Sequence, residues 1–170
     1  TLGVVNRSVN RKLTALKSFY NYLQKIEMMT KNPLSSQKSL KTAKKVIIPF
    51  SEREIEETFL IEDDHYTPFE QLRNKLMIHL LYATGIRQAE LIGLKTQDVD
   101  FETGTIKVLG KRNKERIIPV YTEILKELKI YIDQRGGMDV ATLNLFVTKR
   151  GGKMYGALVY RIINSYFSKV

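Results

Sequence analysis

Arg87 stands between two segments with the look of core: an apolar stretch that ends at Gly85, and a second apolar-periodic stretch beginning just after it. Lys111 lies 24 residues further on, in a polar turn with Arg112 and Lys114, and Arg116 follows just after it. A guanidinium offers a fork that grips two phosphate oxygens in fixed geometry and keeps its charge. A lysine whose pKa is lowered by neighbouring cations can give up a proton. Taken together, the set suggests a clamp for a phosphodiester. Each part has a plainer reading when taken alone. Arg87 could be a helix-capping or structural arginine, and the turn cations could be a solvated face.

Other chemistries fit less well. Gly104 to Lys111 loosely resembles a phosphate loop, but the glycine spacing is one residue too long and no Ser or Thr follows the lysine. His65 and His79 belong to no metal-ligand pattern, and His79 reads as a structural histidine of a core helix. Glu62-Asp63-Asp64-His65 reads as a solvated acidic loop. Asp98, Asp100 and Glu102 alternate, so an extended strand would place them on one face, where a metal-dependent nuclease could hold two ions. The competing reading is a solvated turn entering a hairpin. The chain has no cysteine, which removes disulfides, thiolate metal sites and a cysteine nucleophile.

The elements that must position Arg87 and Lys111 follow from periodicity and caps. Residues 7–27 read as a helix with Val9, Leu13, Leu16, Tyr20 and Leu23 on one face and Arg7, Arg11, Thr14 and Ser18 on another stripe. Asn32-Pro33 stops it. Residues 34–47 are polar, basic and aperiodic, and read as a linker. Ser51–Glu54 and Thr67–Glu70 are capping-box patterns that open two helices. The second runs to Thr84, with Gly85 as its left-handed stop. A short helix is expected from Gln88 to Gly93. Strands are expected at 105–109 and 116–120, a helix at 122–135, a strand and glycine turn in "LFVTKRGGK", and a last helix from Tyr155 to about Phe167. The fold class is α+β, mainly helical with a small antiparallel sheet.

Charge divides the chain unevenly. Residues 1–50 carry ten Lys or Arg against one acid, Glu27, while residues 51–170 carry eighteen against seventeen. A basic module on a near-neutral body most often meets nucleic acid, because its cations release the counterions condensed on phosphates. A solvated, disordered basic tail is the alternative. No apolar run reaches the ~18 residues of a membrane helix, and the basic segment shows no Trp/Phe-rich membrane-insertion face, so no membrane partner is expected. Thr1 stands where an initiator Met would, which suggests a chain that begins mid-gene.

The stretch "LLYATGIRQAELIGLKTQDVDFETGTIKVLGKRNKERIIPV" closely resembles the tyrosine recombinases, the phage-integrase or Xer-type site-specific recombinases. Their pattern runs T-G-[LI]-R-x-[SA]-E-L and then V-x-G-K-G-x-K-x-R-x-[IV]-P. "VNRKLTALKSFYNYLQKIEMMTKNP" is similar to the end of the family's helical, SAM-like core-binding domain. "LFVTKRGGKMYGALVYRIINSYF" is similar to the strand and helix preceding its second active-site motif. The resemblance implies three segments: 1–33 from the core-binding domain, 34–48 as basic linker, and 49–170 as the N-terminal half of a catalytic domain. It implies site-specific DNA strand cleavage and rejoining through a 3′-phosphotyrosyl link. Arg87 would hold the scissile phosphate, Lys111 would protonate the leaving 5′ oxygen, and Glu90 would orient the site. Arg7, Arg11, Lys44, Lys45, Arg112, Lys114 and Arg116 would contact DNA.

One position departs from the pattern: Arg112 stands where the family has glycine, and Lys114 is the substitute acid if the turn is reshaped. No His-x-x-Arg occurs in the sequence, and Tyr155, Tyr160 and Tyr166 precede where it would come. The chain is therefore expected to be a fragment that binds duplex DNA without cleaving it. The full protein is expected to form a homotetramer on DNA in the bacterial cytoplasm, at the nucleoid, with no metal, cofactor or nucleotide. A non-catalytic DNA-binding relative is the alternative.

Overall fold

The computed structural model describes residues 3–43 and 49–169. Contacts along the backbone divide the chain into two units, Thr1–Pro49 and Phe50–Val170. In the first, helical spacing of the apolar residues gives α1 (Asn6–Lys25), none of whose residues is fully buried. Polar contacts tie it to the chain that follows in the same unit. Asn6 Nδ2 donates to the Lys41 carbonyl at 2.9 Å, and Asn10 both donates to the Leu40 carbonyl (2.9 Å) and accepts from its N–H (2.8 Å). Lys17 Nζ donates to the Gln37 carbonyl, and Asn21 Oδ1 accepts from Asn32 at 2.6 Å. Asn6, Asn10, Lys17 and Asn21 share one helical stripe. Residues 34–43, expected as a linker, are thus strapped to α1. No hydrophobic periodicity signals this, because the contacts run from helix side chains to backbone.

The second unit is built on two reciprocal caps. Ser51 and Glu54 cap α2 (Glu52–Leu60), and Thr67 and Glu70 cap α3 (Pro68–Thr84). Each box satisfies two helix N–H groups that would otherwise be orphaned. Helix α3 buries Leu76, Met77, Ile78 and Leu80 and is the centre of the core. It ends where Gly85 takes φ 61° and donates its N–H to the Leu81 carbonyl, a left-handed closure that a Cβ disfavours. The short α4 (Gln88–Gly93) follows at once.

The sheet has three antiparallel strands in sequence order: β1 (Val99–Asp100), β2 (Thr105–Leu109) and β3 (Glu115–Pro119). In β2, Ile106 and Val108 are buried while Lys107 and Leu109 are exposed. The register sets Arg116 opposite Val108 and Ile118 opposite Ile106, so Arg116 lies on the face turned to the core. Helices α5 (Thr122–Gly136) and α6 (Gly156–Phe167) complete the core with Ile124, Leu128, Tyr131, Val159, Ile162 and Tyr166.

The strand expected in "LFVTKRGGK" is reduced to isolated bridges, Lys95 with Asn144 and Val147 with Lys153. Side chains take the backbone groups a longer ladder would use. The Val147 N–H donates to the Tyr131 hydroxyl, and its carbonyl accepts from Arg73 Nη1 at 3.0 Å.

Candidate active site

Arg87 is the N-cap of α4, so its backbone is extended and its N–H faces the helix start. Arginine has no acceptor, so only the carboxylate half of a capping box can form here. Glu90, in the first turn, supplies it. Its Oε2 accepts from the Arg87 N–H at 2.8 Å and its Oε1 from Arg87 Nη1 at 2.9 Å. Arg116 then closes a fork on the same carboxylate from β3, Nη1 to Oε1 at 3.1 Å and Nη2 to Oε2 at 2.9 Å. Four donors fill the roughly four lone-pair sites a carboxylate has.

Glu90 is buried, with 6% of its side chain exposed, whereas Arg87 is 69% exposed. The Arg116 fork, with the Arg87 N–H and guanidinium, holds the Glu90 carboxyl well below its ordinary value, at about 2. Reciprocally, the Arg116 guanidinium is raised by Glu90. The result is a fixed anion whose charge two cations exceed, with most of the Arg87 side chain exposed to solvent. Such an arrangement presents donors and positive charge already in place.

The hairpin loop begins against this cluster. A Cβ on Gly110 would lie 3.0 Å from Arg116 Nη1 and 3.3 Å from the Lys114 carbonyl oxygen, so a larger residue here would have to push the end of the Arg116 side chain or the loop backbone aside by a few tenths of an ångström. The Gly110 N–H donates to the Lys114 carbonyl at 2.8 Å, closing a three-residue loop of Lys111, Arg112 and Asn113. Arg112 (φ 61°) and Asn113 (φ 59°) are both left-handed. Arg112 therefore adopts the conformation that glycine takes freely, and the turn closes around it. Lys111, Arg112 and Lys114 are all exposed.

Among the residues expected from sequence, Arg87, Glu90 and Arg116 converge, with the Gly110–Lys114 loop rooted beside them. Arg7 and Arg11 are exposed on α1, in the other unit. Lys44 and Lys45 lie outside the described residues. Arg116, expected as a DNA contact, pairs with Glu90 through both terminal nitrogens. The parity of β3, which puts Arg116 with Ile118 on the inner face, was the available signal.

The alternating carboxylates do not share a strand face. Asp98 ends a 3-10 turn, where it accepts from the Lys95 N–H. Asp100 accepts from the Glu102 and Thr103 N–H groups in the turn after β1. Nor is the acidic loop wholly solvated. Asp63 is buried and pairs with Lys169 at 2.7 Å and with His65 at 2.8 Å. His79 rests on Phe59 and faces Glu127, a structural setting. Tyr166 is in the core, while Tyr155 and Tyr160 are at the surface.

An arginine anchored by a buried carboxylate at a helix start, beside a cationic hairpin, presents charge and N–H donors of the kind that pair with a phosphate. The sequence profile of the phage integrase family matches residues 57–169, and the chain belongs to that family. It is 32% identical to tyrosine recombinase XerC of Pelobacter propionicus over 167 residues, covering 96% of this chain and 53% of that protein. It is 35% identical to tyrosine recombinase XerC of Anoxybacillus flavithermus over 165 residues, covering 94% and 54%. The chain thus spans about half the length of the curated relatives it matches. The fold is similar to that of the Tn1549 transposon integrase solved in complex with transposon right end DNA: TM-score 0.76 at 24% identity, covering 99% of this chain and 61% of that one.

Proposed function

We propose that this chain supplies part of the active site of a tyrosine-type site-specific recombinase, an enzyme that breaks and rejoins duplex DNA through a phosphotyrosyl intermediate. The observation that carries the reading is the exposed Arg87 guanidinium held by the buried, saturated Glu90. Arg87 binds non-bridging oxygens of the scissile phosphate and stabilises the negative charge that grows there during displacement. Lys111, at the tip of the closed hairpin loop, donates a proton to the leaving 5′ oxygen. Arg112 and Lys114 flank it as phosphate contacts, and Arg7, Arg11, Lys44 and Lys45 are further DNA-contacting cations. Three regions make up the chain in this reading: the end of a helical core-binding domain (1–33), a basic segment (34–48) and part of a catalytic domain (49–170). The complete enzyme works as a homotetramer at the bacterial nucleoid.

Binding of the purified chain to a duplex of about 30 base pairs across a salt series tests this. Arg87→Ala weakens binding and lowers the salt slope by about one, as expected for one lost phosphate contact. The chain alone forms no covalent adduct on nicked DNA. Unchanged binding by Arg87→Ala would remove the phosphate anchor from the reading. A non-cleaving DNA-binding relative would show itself in the complete protein, as strand joining that stays absent while Arg87 still anchors DNA.

A further inference from the structure

Arg116 is the arginine in this site whose arrangement does not suit phosphate binding. It comes from the inner face of β3, paired in register with the buried Val108, and reaches α4 across the core side of the sheet. Both its terminal nitrogens close on Glu90, one on each oxygen. We propose that Arg116 is a positioning residue that holds the Glu90 carboxylate and thereby keeps the Arg87 guanidinium turned outward, and is not itself a phosphate anchor. The inference rests on the reading of Arg87 as the phosphate-binding group.

Competition for lone pairs is the physical reason. Arg87 gives one guanidinium N–H to Glu90, through Nη1, while Arg116 takes both oxygens. Without Arg116, two acceptor sites on a buried carboxylate fall vacant. An arginine favours two-point pairing with a carboxylate, and a buried carboxylate needs its acceptors filled. Arg87 would then close its own fork on Glu90 and withdraw donors from the substrate side. Charge argues the same way. Glu90 with Arg87 alone is neutral, and Arg116 restores one positive charge to the cluster. Gly110 packs on this ion pair, so Arg116 also supports the base of the loop from which Lys111 projects.

A double-mutant cycle on the 170-residue chain separates positioning from direct contact. Binding to the same 30-base-pair duplex is measured for Arg116→Gln, Arg116→Lys, Arg87→Ala and the double variant Arg87→Ala with Arg116→Gln. In parallel, nuclear magnetic resonance follows the Glu90 carboxyl carbon through acid titration and the Arg87 guanidinium N–H signals. Arg116→Gln is expected to lose about one unit of salt slope, as Arg87→Ala does, and to lose nothing further in the Arg87→Ala background. Arg116→Lys restores the charge but not the fork, so it does not rescue binding. The Glu90 midpoint moves up from about 2 towards 4.5 in Arg116→Gln, and the Arg87 signals shift.

An additive loss in the double variant, or rescue by Arg116→Lys, would overturn the proposal in favour of a direct phosphate contact. Arg116→Gln binding like the unmodified chain would overturn it too, provided Arg87→Ala shows its loss. If Arg87→Ala itself leaves binding unchanged, the phosphate reading of Arg87 is what has failed. The resonance signals then decide the positioning claim, which falls if the Glu90 midpoint and the Arg87 signals stay in place.

Discussion

Arg73 and Arg87 lie on and just beyond the same core helix, and they are held in opposite ways. Arg73 is 1% exposed. Its Nε and Nη2 donate to Asn74 Oδ1 at 3.1 and 2.9 Å and its Nη1 to the Val147 carbonyl at 3.0 Å, all neutral oxygens. The nearest carboxylate, Glu70, stands at 3.7 Å, and burial lowers the Arg73 pKa from the usual arginine value. Arg87 is mostly exposed and spends one guanidinium N–H on a buried carboxylate. A guanidinium turned inward onto neutral oxygens ties helix to chain, and its charge has no outward use. A guanidinium fastened at one point by a fixed anion keeps both its charge and its geometry for a ligand.

The largest expected consequence is in stability. Arg73→Met removes the donors to Asn74 Oδ1 and the Val147 carbonyl, and each buried acceptor left unpaired costs about 1–3 kcal/mol. Urea unfolding should show a loss of about 2–5 kcal/mol. Arg87→Ala should cost about 1 kcal/mol or less, since its partner keeps the Arg116 fork and the residue is exposed. The distinction between the two arginines collapses if Arg87→Ala destabilises the fold as much as Arg73→Met.

Acid should separate them next. The Glu90 carboxyl titrates in the folded chain at about 2, below its ordinary 4.5. Asp63, held down first by Lys169 and then by His65, does likewise from 3.8. A lowered folded pKa means stability that is fully present above the ordinary value and is lost as pH falls through the folded one. The window is therefore between about pH 5 and 2. The oxygens that hold Arg73 do not titrate there. Hydrogen-exchange protection of the Arg87 and Arg116 guanidinium groups should fall across this window while that of Arg73 persists to global unfolding. Loss of Arg73 protection first would contradict the assignment of Glu90 as the site's titrating support.

Helix boundaries were legible because their signals are local. Ser51 with Glu54, Thr67 with Glu70, and Gly85 each act within one turn, and the structure places caps on all three. The parity of Ile106 and Val108 likewise announced β2. Arg87, Glu90 and Lys111 could be singled out because their motif is short and specific. The contact that organises the site could not be read in the same way. Glu90 and Arg116 are 26 residues apart, and their meeting depends on the register of β2 with β3 and on how that sheet packs against α4. Arg73 escaped notice because its partners are an adjacent amide and a carbonyl 74 residues away, neither of which leaves a pattern. The strap over 34–43 was hidden for the same reason, since polar side chains paired with backbone have no hydrophobic period.

Arg112 is a third case, and the smallest effect belongs to it. Its φ of 61° puts an L-residue with a long side chain in the left-handed region, at a cost of about 1–2 kcal/mol. Asn113 shares that region, but asparagine visits it more readily. Glycine at 112 would relieve the strain while giving the unfolded chain more freedom, which takes back about 0.4–1 kcal/mol. Arg112→Gly should thus be more stable than Arg112→Ala by up to about 1 kcal/mol, measured by denaturant unfolding of the pair. Both variants lack the cation, so both should lose the same increment of salt dependence in DNA binding. Equal stability would mean that the loop relaxes out of the left-handed turn when Arg112 is replaced, and that the turn is held by its side chain. The expected difference would mean that backbone closure between Gly110 and Lys114 imposes the left-handed turn on whatever residue stands at 112.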